Sequence, residues 1–202
     1  VRFEVDQRKN FGQFILTGSA VPADISEIIH TGTGRFTFVK MRPMSLVESG
    51  ESNGSVSLEK LFNDNNDIYG ESMLSLDDIA FLVCRGGWPI ATYLKGKSAL
   101  SQAIDYYDAV VNSDISRVDS VKRDSEKVKK IMASYARNQG TQISDEAIVN
   151  DIKVNEDENI NVKTIHSYIE ALKKIFVIED MKAWNPNLRS KTAIRTTDTR
   201  YF

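Results

Sequence analysis

Apolar positions recur at helical spacing through the last third of the chain. Val128, Ile131, Met132 and Tyr135 mark one face of a helix ending near Gly140. Ile148 and Ile152 do the same behind Ser144, a residue type that caps helix starts by accepting a free backbone amide. Behind Asn161, another capping residue, follow Val162, Ile165, Ile169, Leu172 and Phe176. The pattern then changes period. Strand-forming residues run from Val177 to Trp184, and Asn185-Pro186-Asn187 makes a turn. The β-branched stretch Thr192 to Thr197 is predicted to pair antiparallel with the first run. Helix, helix, helix, ribbon is the order of a winged helix, a variant of the helix-turn-helix group.

Upstream, the apolar run at 13–17 is bounded by glycines and predicts a buried strand. A short helix over Ile25 to His30 and a second strand from Phe36 to Met41 follow, the latter stopped by Pro43, which lacks a ladder donor. Ser45 with Glu48 matches a capping box and predicts a helix start, as does Ser75 with Asp78. Between them lie a polar loop at 49–57, a short helix from Leu58 to Phe62, and another polar loop from Asn63 to Tyr69. The helix from Ser75 to Val83 is broken at Gly86-Gly87-Trp88-Pro89, where backbone freedom and a missing amide proton both oppose it. Leu100, Ala103, Ile104, Tyr107 and Val111 then predict a long amphipathic helix. The expected fold class is mixed α/β and mostly helical.

Composition narrows the function classes. A chain of 202 residues, 41% hydrophobic and 27% charged, can bury a core and is not of the disordered type. No stretch reaches the roughly 18 apolar residues of a spanning helix, so no membrane association is expected. A lone Cys84 cannot form an internal disulfide, which favours a reducing, cytoplasmic setting. The net charge of −2 hides alternation. Residues 1–116 carry 10 basic and 15 acidic side chains, 117–140 carry 7 and 3, 141–160 carry 1 and 6, and 161–202 carry 8 and 4.

Thr17-Gly18-Ser19 closes the first predicted strand, which is how an open α/β sheet presents polar groups to a ligand. A nucleotide triphosphatase of that kind also needs a G-x-x-x-x-G-K-[ST] loop and an acidic strand end for magnesium, and the sequence contains neither. With Val1 rather than Met at the start, the chain is expected to be a piece of a longer protein.

Phe14 to Ala20, Gly34-Arg35, Met41 to Leu46, Gly86 to Pro89, Asp114 to Asp119, and Ala183 to Phe202 with its Trp184-Asn185-Pro186-Asn187 core carry a resemblance over the whole length. The chain resembles bacterial and archaeal ATPases of the AAA superfamily that carry a C-terminal domain of unknown function. The resemblance implies a remnant of a P-loop ATPase α/β core at 1–48, a helical lid at 49–119, and a winged-helix domain at 120–202. In that family the phosphate-binding loop would lie upstream and a nuclease-like fold downstream. The resemblance places Thr17 and Ser19 beside the γ-phosphate as sensors, Arg35 as an arginine finger, and Arg85 as a second sensor in the lid. ATP and magnesium would serve the full-length protein as cofactors; this piece, lacking the loop, is expected to bind neither tightly and not to hydrolyse ATP.

Plainer readings stand beside these. Thr-Gly-Ser after a strand also makes an ordinary turn, and Arg35 or Arg42 could cap strand ends or pair with Glu48. His30, His166 and Cys84 are too scattered for a metal site. Asp180 and Lys182 share a strand face, as in some nuclease sites, but Glu179 would point the other way. A second class of function is binding. Lys163, His166, Lys173 and Lys174 decorate the third helix, and Lys182, Arg189, Lys191, Arg195 and Arg200 dot the ribbon, enough for several phosphate contacts. Glu170 interrupts that face, so the winged helix could dock either DNA or a protein. Unpaired edges of a truncated sheet would favour a homo-oligomer.

Overall fold

The computed structural model describes residues 1–10, 12–19, 35–63, 68–119, 121–182 and 199–201. These residues are mostly helical, and the chain divides into two compact units: Val1–Phe36 with Ala109–Phe202, and Thr37–Asp108.

The larger unit opens with helix α1, Arg2–Arg8, ended by Lys9 in a left-handed conformation (φ 52°). Its core lies in the last third, where the sequence periodicity is realised. Helix α6, Ser125–Arg137, starts at Asp124, whose carboxylate accepts the amides of Glu126 and Lys127. Helix α7, Asp145–Glu156, starts at Ser144, and helix α8, Val162–Lys174, starts at Asn161, each with its side chain accepting an amide of the first turn. Val128, Ile131, Met132, Tyr135, Ile148, Ile152, Ile165, Ile169 and Leu172 are all buried, as their spacing predicts. Phe176 is not: it follows α8 at φ 60° and is exposed. Strand β1, Glu179–Met181, pairs antiparallel with β2, Thr199–Tyr201, in the register Glu179 to Tyr201, Asp180 to Arg200 and Met181 to Thr199. The ribbon partner therefore lies beyond the expected 192–197, a stretch that, like the turn at 185–187, is outside the described residues.

The smaller unit contains α2, Leu58–Asn63; α3, Leu76–Arg85; α4, Pro89–Tyr93; and most of α5, Gly96–Ala109. Ser75 and Asp78 form the expected capping box on α3, with both reciprocal hydrogen bonds present. Gly87 is required where it stands, because a Cβ there would collide with the Met44 carbonyl oxygen. Met44 N–H instead donates to the Gly87 carbonyl at 2.7 Å, and Trp88 packs on Tyr106 with ring centroids 4.5 Å apart. After α5 the chain continues as a π-type turn, Val110–Asp114, with Val110 and Val111 buried.

Three expectations are overturned. Residues 13–17 and 36–41 form no strand: neither enters a ladder, and Ile15, Leu16, Phe38, Val39 and Met41 are exposed. A strand needs a neighbour for its amides and carbonyls, and no described segment offers one. The Ser45–Glu48 hydrogen bonds form, yet they close a turn rather than start a helix, because Gly50 at φ 88° ends the segment at once. The predicted helix at 25–30 lies outside the described residues.

Candidate functional site

Of the candidate nucleotide residues, Thr17, Ser19 and Arg35 belong to the larger unit and Arg85 to the smaller. Thr17 and Ser19 are exposed on irregular chain, not at the end of a described strand. Arg35 donates from Nε to the Asp6 carboxylate at 2.6 Å, and this hydrogen bond, reinforced by the Asp6 charge, raises its pKa. It lines a cavity of about 320 Å³ together with Val5, Asp6, Phe14, Leu16 and Phe36; neither Thr17 nor Ser19 is among the lining residues. Arg85, at the end of α3, is buried, donating to the Glu51 carboxylate and to the Gly86 carbonyl, the latter at 3.0 Å. Glu51 is held below its usual carboxylate range mainly by that Arg85 hydrogen bond. Arg35 is thus paired with Asp6, and Arg85 holds the start of the 51–57 loop against the end of α3.

The expected nucleic-acid face is also changed by pairing. Lys173 lies 2.9 Å from Glu170 and 2.5 Å from Asp180. Burial works against its charge, but these two carboxylates outweigh it and hold its pKa up. His166 meets Asp145 at 3.0 Å, so α8 is tied to the start of α7. Lys163, Lys174 and Lys182 remain exposed. Arg189, Lys191 and Arg195 lie outside the described residues, and so does His30. Cation pairing recurs on α6, where Lys130 meets Glu158 at 2.5 Å and Arg137 meets Asp151 at 2.7 Å and Glu156 at 3.1 Å. Asp180, the candidate nuclease carboxylate, is occupied by Lys173 and by the Tyr135 hydroxyl at 3.3 Å.

One constellation was not anticipated from the sequence. Arg123, buried in the loop before α6, makes a two-pronged contact with Asp119 at 2.7 and 2.8 Å and donates to the Ile115 carbonyl at 2.9 Å. Its guanidinium stacks over the Tyr168 ring at 5.7 Å, while the Tyr168 hydroxyl accepts the Asp124 amide at 3.0 Å. The Arg123 hydrogen bonds pull the Asp119 pKa down to about 2. This cluster fastens the 115–124 segment to α8. The signal available was an Asp and an Arg four residues apart, the Asp being the last residue of the Asp114–Asp119 stretch.

Among the described residues no helix is long and apolar enough to cross a membrane. The helical trio with its ribbon, and the helices from α3 onward before it, sit within a recognised family. Residues 76–202 match the model of a domain of unknown function, DUF8612, and the chain belongs to that family. No curated protein matches the chain. No solved structure matches it either.

Proposed function

We propose that this chain is the lid and winged-helix part of an AAA-type ATPase and works by docking protein, with nucleotide held by polypeptide outside these residues. The observation that carries the docking half is the pairing on α8. Winged helices that grip DNA present unpaired cations to phosphates, whereas here Lys173 is bridged between Glu170 and Asp180, and His166 faces Asp145. Such a face suits a protein surface of mixed charge better than a uniform row of phosphates.

The ATPase half is supported by the resemblance and by the exposed apolar stretches 13–17 and 36–41. Both read as sheet strands from the sequence, and neither pairs with a strand among the described residues. In the intact protein they would complete the core sheet, and ATP-driven change in that core would reposition the lid and winged helix.

Two measurements test the two halves separately. A labelled DNA duplex titrated with this chain between about 50 and 200 mM salt is expected to bind weakly or not at all; tight binding that falls steeply with salt would replace docking by phosphate contact. The reading frame upstream of Val1 is expected to encode a G-x-x-x-x-G-K-[ST] loop and an acidic strand, and polypeptide containing them should hydrolyse ATP. An unrelated upstream sequence, or ATP turnover by the present chain alone, would overturn the ATPase reading.

A further inference from the structure

Helix α3 turns an apolar stripe outward. Leu76, Ile79 and Val83, spaced i, i+3 and i+7, fall on one side of the helix and are 84%, 44% and 77% exposed. Ala80, on the same side, is exposed as well. The opposite side carries half-buried Phe81 and buried Arg85, which anchor the helix end. An amphipathic surface helix ordinarily turns its apolar stripe to the core. A contiguous apolar face left in water, with Met73 95% exposed just before it, marks a contact surface.

Charge identifies the occupant. From residue 64 to residue 84 the chain carries Asp64, Asp67, Glu71, Asp77 and Asp78, with no Lys or Arg. Asp78 is committed to the Ser75 cap, whereas Asp77 on the helix is exposed, and so is Glu71 ahead of it, which accepts from the Tyr69 hydroxyl. A second copy of α3 would bring like charges face to face, and an anionic lipid surface would meet the same repulsion. We propose that α3 docks a basic amphipathic helix of a partner protein. Its apolar residues would lie against Leu76, Ile79 and Val83, and its Lys or Arg side chains would face Glu71 and Asp77, the helix-in-groove type of recognition. This surface stands independently of any nucleotide chemistry.

The test is fluorescence anisotropy of a synthetic helical peptide built from Leu and Lys at amphipathic spacing, titrated with the full chain. Saturable binding is expected, weakened about tenfold by Val83→Asp and by Ile79→Asp, which amounts to roughly 1.4 kcal/mol. Because Val83 points into solvent, Val83→Asp should leave the circular dichroism spectrum and thermal unfolding unchanged, which separates lost docking from lost folding. The pair Glu71→Lys with Asp77→Lys should shift preference to the matching Leu/Glu peptide. The proposal is overturned by absent binding, by equal affinity of the wild-type chain for Leu/Lys and Leu/Glu peptides, or by an affinity that Val83→Asp leaves untouched. A concentration-dependent dimer abolished by Val83→Asp would assign the face to a second copy instead.

Discussion

Residues 13–17 and 125–174 are both rich in apolar side chains, yet they end in opposite environments. Along α6, α7 and α8 the periodic residues are buried, with Ile131, Ile148, Ile165 and Leu172 fully enclosed. In the first stretch Ile15 is 88% exposed and Leu16 65%. The difference is one of where partners come from. A helix satisfies its own backbone and needs only a neighbouring face, and α6, α7 and α8 lie close together in sequence. A strand needs another strand for every amide and carbonyl it carries. Equal hydrophobicity therefore produces a core in one place and an unmatched surface in the other.

Substitutions should separate the two regions by size of effect. Leu172→Ala removes a fully buried side chain of α8 and should cost about 3 to 4 kcal/mol in urea unfolding followed by circular dichroism. Ile15→Ala should change that transition by less than about 0.5 kcal/mol. Comparable losses at the two sites would mean that the 13–17 segment is packed after all.

Arg123→Ala comes next. It strips Asp119 of its partner and Tyr168 of its stacked cation, and should lower stability by about 2 to 3 kcal/mol in the same assay. The Asp119 carboxyl also gives the well-packed region a pH signature. Its folded pKa of about 2 lies below the unfolded 3.8, so the ionised form stabilises the fold above about pH 4. That contribution, on the order of 2 kcal/mol before screening of a partly exposed side chain, should disappear as pH falls from about 4 toward 2. An Asp119→Asn variant should show a flatter stability profile across that window; an unchanged profile would remove the pair from the account.

The smallest effect compares two capping boxes with the same sequence logic. Ser75→Ala should cost about 1 kcal/mol because it uncaps α3. Ser45→Ala, which merely loosens an exposed turn, should cost under about 0.5 kcal/mol by thermal unfolding.

What the sequence made legible follows the same division. The caps at Ser75, Ser144 and Asn161, the core faces of α6 to α8, and the order of three helices before a ribbon all depend on residues near one another in the chain. Ser45 and Glu48 show the limit of that reasoning: their reciprocal hydrogen bonds form, but nothing local says that Gly50 ends the segment before a helix turns. The local pattern at 13–17 and 36–41 predicts strands that do not form, because pairing is a long-range property. The ion-pair partners of the candidate site residues are the least legible part. Sequence position put Arg35 near a phosphate and Lys173 on a basic face, whereas Asp6 and Asp180 take those charges. Partners 29 and 7 residues away along the chain cannot be assigned from spacing alone, and the same is true of Tyr168 beneath Arg123.

Hydrogen exchange of backbone amides in the intact chain tests the central contrast most directly. Amides within α6, α7 and α8 should exchange slowly, at rates set by unfolding of the packed helices, while those at 13–17 and 36–41 should exchange almost as fast as an unstructured peptide. Strong protection at Ile15, Leu16 and Val39 would contradict the account, since it would show those segments already paired within this chain.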